Sequence, residues 1–127
     1  MDVKEFFQIR SLMGKTQTQM AQVLGVSPKA IQSFEQGWRN ISPHIERQAL
    51  FLLALKRSRN DKIMPCWKIR KCPTEERRYC PAWELRAGHL CWFINGTICQ
   101  GKAQANWQKK MEICRQCEVF QSVFPFL

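Results

Sequence analysis

Apolar residues in the first sixty positions recur at helical spacing, and glycines and Ser/Thr residues cut them into short runs. Phe6, Ile9 and Met13 predict a helix over Val3 to Met13, with Gly14 as its C-terminal cap. Thr16 reads as the N-cap of a second helix, Gln17 to Leu24, whose inner face is Met20, Ala21 and Leu24 and whose stop is Gly25. Ser27 followed by Pro28 opens a third helix, which turns Ile31 and Phe34 inward and closes at Gly37. Ser42 and Pro43 repeat that start signal for a helix with a stripe of Ile45, Ala49, Leu52 and Leu53. The pattern then fades into the polar run from Lys56 to Lys62.

Beyond residue 65 the apolar pattern is broken by cysteines, and one periodic stretch survives. Trp107, Met111 and Cys114 predict an amphipathic helix from about Ala103, ending on a cysteine. Trp107 and Met111 read as core residues, as do Trp67, Trp83 and Trp92. The expected fold is mainly α: a five-helix first domain over 1–57, a linker over 58–65, and a small irregular module over 66–127 with a short C-terminal helix.

The connection Leu24, Gly25, Val26, Ser27 is tight, and a turn that short lets the following helix present its N-terminal end to a major groove. The run TQTQMAQVLGVSPKAIQSFEQGWRNIS resembles the phage repressor and Cro-like (XRE-type) helix-turn-helix family, over about Val3 to Leu55. The resemblance implies that Gln17 donates to a phosphate at a helix N-terminus and that Pro28, Lys29, Gln32 and Ser33 face the bases. Lys29 is suited to guanine O6 or N7 and Gln32 to adenine, whereas Pro28 departs from the polar residue many relatives carry and offers only apolar contact. Trp38, Arg39 and Asn40 would grip the backbone beyond the recognition helix, with Lys15 a further phosphate contact. Arg10 and Glu35 stand where relatives bury an ion pair. The alternative is a protein-interaction domain of the same fold, on which these polar positions are merely solvated.

Charge changes the picture only slightly. The chain carries a formal net charge of +10, divided evenly between residues 1–60 and 61–127, and this favours polyanions without identifying one. The cysteines change it more: all seven lie after residue 65. No leader pattern and no membrane-spanning apolar run is visible, so the expected location is the cytoplasm, where thiols stay reduced and bind metal more readily than they form disulfides.

Those cysteines are Cys66, Cys72, Cys80, Cys91, Cys99, Cys114 and Cys117. Only Cys114 and Cys117 have a familiar C-x2-C ligand spacing, in which both sulfurs face one ion and backbone amides donate to them. Two Cys-Trp pairs, at 66 and 91, and two Cys-Pro pairs, at 72 and 80, complete a pattern that resembles the two-CW cysteine-rich domain of bacterial regulatory proteins, over Pro65 to about Val123. That resemblance fixes neither metal nor mechanism. A [4Fe-4S] cluster needs four thiolates and basic surroundings, which Lys68, Arg70, Lys71, Arg77, Arg78, Arg86, Lys102 and Arg115 supply; one zinc, or two sharing sulfurs, would use the same set. Aromatic shielding, surplus sulfur and the scarcity of histidine favour iron-sulfur, and His89 reads as a surface or packing residue.

The expectation is therefore a homodimeric regulator on double-stranded DNA, with an iron-sulfur module that senses redox, oxygen or metal status. The alternative keeps DNA binding and makes the module a structural zinc platform for dimerisation or partner docking. A thiol-disulfide enzyme built on Cys114 and Cys117 lacks the βαβ pattern of such proteins, and no carboxylate pair, Ser/His/Asp set, phosphate loop or small-molecule site is legible, so no enzyme is expected.

Overall fold

A computed structural model describes residues 1–58, 63–99 and 101–127, the side chain of Ser58 apart. It divides into two compact units, Met1–Lys56 and Arg57–Leu127. Residues 59–62 of the expected linker lie outside the described residues. Among the described residues the secondary structure is helical, with a single isolated bridge between Cys99 and Lys102 and no strand. None of these helices is long and apolar enough to cross a membrane.

The first unit contains α1 (Val3–Met13), α2 (Gln17–Leu24), α3 (Pro28–Gln36) and α4 (Pro43–Ser58). That is one helix fewer than the five-helix expectation; the four that the chain's start and stop signals mark are the four present, and residues 43–58, with no glycine or internal proline, run as one helix. The caps explain the other boundaries. Asp2 accepts from the Glu5 amide, Thr16 and Gln19 form a reciprocal capping box, and Ser27 accepts from the Ala30 amide with Pro28 in the first turn. Gly25 ends α2 at φ 70°, a left-handed conformation that costs glycine nothing, and its amide and that of Val26 return to the last carbonyls of the helix.

The helix α3 packs against α1 and α2, with the Phe6 and Phe34 rings meeting edge to face at 5.6 Å. Phe6, Ile9, Met20, Ile31 and Phe34 are fully buried between them. On α4 the buried face is Ile45, Ala49, Leu50, Leu53 and Ala54, so it includes Leu50 and Ala54 and leaves Leu52 half-buried, rotated from the expected stripe.

The second unit is built from α5 (Cys66–Ile69), α6 (Thr74–Arg77), α7 (Pro81–Glu84), α8 (Trp107–Cys114) and α9 (Glu118–Val123). α8 starts later than the expected Ala103 because Asn106 caps it, accepting from the Lys109 amide. α9 was not expected; its Val119, Phe120 and Val123 bury one face at helical spacing. Trp92 is wholly buried and meets Phe120 and Phe124 at 6.0 and 5.3 Å, while Trp67, Trp83 and Trp107 are only half-buried.

Candidate functional site

Each unit presents one arrangement with chemical potential. In the first, the caps at Ser27 and Gly37 fix the ends of α3, and burial of Ala30, Ile31 and Phe34 fixes its rotation. The opposite face therefore turns outward, with Pro28, Lys29 and Gln32 exposed and Ser33 half-buried. Trp38, Arg39 and Asn40 are all exposed just beyond the helix, Trp38 at 74%. The Arg39 guanidinium lies 5.4 Å from the Phe34 ring, which limits where it can swing.

Beneath this face Arg10 and Glu35 form the expected pair, Nε donating to Oε1 at 2.5 Å and the second guanidinium nitrogen to Oε2 at 3.3 Å. The same guanidinium also donates to the Lys15 carbonyl, which ties the α1–α2 turn to α3. Gln17 was expected to reach a phosphate, but its side-chain amide donates to Glu35 Oε2 at 2.5 Å. A phosphate contact from that side chain needs this bond broken. The Lys15 side chain is half-buried.

In the second unit all seven thiols are free of disulfides and border two cavities. The larger, about 250 Å³, is lined by Cys66, Cys91, Cys99, Cys114 and Cys117. The smaller, about 190 Å³, is lined by Cys66, Cys72, Cys80, Cys91 and Cys99. Cys66, Cys91 and Cys99 thus border both. Cys114 closes α8 and Cys117 is the N-cap of α9; the Cys117 amide donates to the Cys114 carbonyl, so the C-x2-C motif is the turn between these helices. The Ile98 amide donates to Cys80 Sγ at 3.4 Å, the kind of amide contact that stabilises a ligating sulfur. Among the described residues, no three His, Cys, Asp or Glu side chains converge closely enough to grip one ion.

Electrostatics differ from thiol to thiol. Cys91 donates to Cys66, and this bond and burial push its pKa well up while the same bond draws that of Cys66 down. Burial raises Cys99 and Cys114, with Lys110 acting in the opposite sense; burial and then Glu76 raise Cys72, whose sulfur lies 3.9 Å from Oε2 of that residue. His89 is half-buried, and its carbonyl accepts from the Trp92 indole.

Two residues escaped the sequence reading. Lys110 is 5% exposed and lines the larger cavity; its place three residues after Trp107 and four before Cys114 is the signal that puts it on the inner face of α8. Gly88 accepts from the Cys66 amide at 3.0 Å and lies so close to Pro65 that a Cβ would stand 2.5 Å from Pro65 Cβ, an approach that no local pattern announces. Comparison with family models, with curated proteins and with solved structures returned no match for this chain.

Proposed function

We propose that the chain is a sequence-specific DNA-binding regulator of the helix-turn-helix kind, with α3 as its recognition helix and a thiolate-ligated iron-sulfur centre of the [4Fe-4S] type in the second unit. The observation that carries the first part is the orientation of α3. A buried, doubly capped helix turns Pro28, Lys29 and Gln32 outward at its N-terminal end, after a connection of only three residues from α2. Lys29 reads guanine, Gln32 reads adenine, and Arg39, Asn40 and Trp38 hold the phosphate backbone, with Lys15 beside them. One such helix reads only a few base pairs, so the working form is a homodimer on a palindromic site.

The donor set supports the second part. Five cysteines line one cavity of about 250 Å³, enough thiols for the four that a [4Fe-4S] core takes. Four of Cys114, Cys117, Cys99, Cys91 and Cys66 would hold it. When bound, such a cluster supplies one-electron redox chemistry and sensitivity to oxidants. Its gain or loss changes the dimer and therefore the half-site spacing that the protein accepts.

A second reading makes the module a zinc platform for dimerisation or docking. It is favoured by the three cysteines that border both cavities, since shared thiolates let two zincs use seven sulfurs.

Two measurements test the proposal on the full chain purified without oxygen. Binding-site selection from random duplexes should return a palindrome bound at least a thousandfold more tightly than bulk DNA; no preferred sequence would refute the regulator reading. Visible absorption with iron, sulfide and zinc assays should show a brown, iron- and sulfide-containing protein, and a colourless zinc protein replaces the cluster with the second reading.

A further inference from the structure

Among the described residues Lys110 is the one buried basic side chain. Its ammonium donates to Thr97 Oγ1 at 2.5 Å, and Thr97 is itself 3% exposed. No carboxylate among the described residues pairs with it; Glu112 borders the same cavity but is exposed and makes no ion pair with it. An ammonium has three donors, and a charge removed from water without an opposite charge is strongly disfavoured. Thr97 is neutral and satisfies one donor. Thiols share the cavity with the ammonium, Cys114 one turn along α8 and Cys99 and Cys66 in the same lining, as do the exposed Arg70 and Glu112.

A neutral thiol, like the Thr97 hydroxyl, offers no charge to balance the ammonium. A metal centre does. Four thiolates around a zinc, or around an oxidised [4Fe-4S] core, carry a net charge of about −2, and hydrogen bonds to such sulfurs set both the metal affinity and the potential.

We propose that Lys110 is the counter-ion of an anionic metal-thiolate centre in the larger cavity, its ammonium anchored by Thr97 and donating to the ligating sulfurs. This rests on the metal reading above. It sets Lys110 apart from the exposed basic residues of the unit, whose charge water screens.

The test compares the full-length wild type with K110R, K110M and K110Q, all purified anaerobically. Zn²⁺ affinity of the metal-free chains is measured against a chromophoric chelator, and cluster-loaded chains are reduced stepwise under visible absorption. The neutral variants should bind Zn²⁺ at least tenfold more weakly. In the iron form they should lower the equilibrium constant for reduction at least tenfold, 59 mV for a one-electron couple. K110R should stay within threefold of wild type on both readouts. Metal-free K110M should melt no lower than metal-free wild type, because the change removes a stranded charge.

A lysine that only fills space gives the reverse: metal-free K110M melts lower, while metal affinity and potential stay as in wild type. That result overturns the assignment, as does failure of both neutral variants to fold without metal when K110R folds. Equal binding by wild type and K110M ends the counter-ion role alone. A wild-type chain that takes up no metal ends the metal reading and the assignment with it.

Discussion

Glu35 shows how single residues set the recognition face. Its two oxygens accept from Arg10 and Gln17, and the Arg10 guanidinium reaches on to the Lys15 carbonyl, so three helices and a turn are held at one point. The pair is largely shielded, with side-chain exposures of 16% and 7%. Removing one partner strands the other, so Arg10→Met should lower stability by about 2–3 kcal/mol in urea unfolding, and Arg10→Met combined with Glu35→Leu should recover most of that loss. A double variant as unstable as the sum of the singles would show that the carboxylate is not what Arg10 serves. On the outer face, Lys29→Ala should relax preference at one base pair by about 1–3 kcal/mol, whereas Arg39→Ala should weaken all duplexes alike. Uniform losses from both, measured by anisotropy on the selected site and its single-base variants, would remove Lys29 from the base-reading set. The Arg10–Glu35 pair was legible through the helix-turn-helix resemblance, which implies an ion pair at these two positions. The Gln17 bond to Glu35 was not, since a side-chain amide chooses its partner only after packing brings the helices together.

Helix boundaries in the first unit follow the punctuation of the chain. Asp2, Thr16 and Ser27 start helices and Gly14, Gly25 and Gly37 end them, at the residues their chemistry predicts. The second unit was harder to read, because α5, α6 and α7 each have four residues and gain no periodic signature at that length. Their positions depend on contacts distant in sequence, of which Gly88 is the clearest. Two glycine substitutions separate the kinds of constraint. At Gly25 an added Cβ meets nothing within 4 Å, so Gly25→Ala should cost only the left-handed backbone penalty, about 1–2 kcal/mol. At Gly88 a Cβ stands 2.5 Å from Pro65 Cβ and 2.8 Å from the Cys66 amide nitrogen, so the start of α5 must shift and Cys66 with it. Gly88→Ala should cost about 3 kcal/mol and weaken metal retention as well. Unchanged retention in thermal melts followed by metal analysis would mean that Cys66 does not ligate.

At the scale of the molecule the two units differ in what their cores contain. Met1–Lys56 buries aliphatic and aromatic side chains from four helices, with no cysteine among them. Arg57–Leu127 buries Trp92, Val119, Phe120, Val123 and Phe124 and, beside them, Cys80, Cys91 and Cys114 with a lysine, around cavities that leave neighbouring side chains without contacts on one side. A small core of that kind is stabilised by what fills it, and a metal bound only by the folded form contributes its binding free energy to folding. Stripping the metal from the full chain with a chelator should therefore weaken amide exchange protection in α8 and α9 while the amides of α1 to α3 keep theirs. Replacing Cys114 and Cys117 with Ser should reproduce the pattern without a chelator, since both border the larger cavity. Replacing Cys72 and Cys80, which border only the smaller one, should leave the larger centre loaded if it holds a single cluster; loss of all metal would mean that the shared thiolates bind two ions as one unit. Protection that survives chelation throughout residues 66–127 would show that the thiols pack as ordinary core residues, and the second unit would then need no inorganic centre to fold.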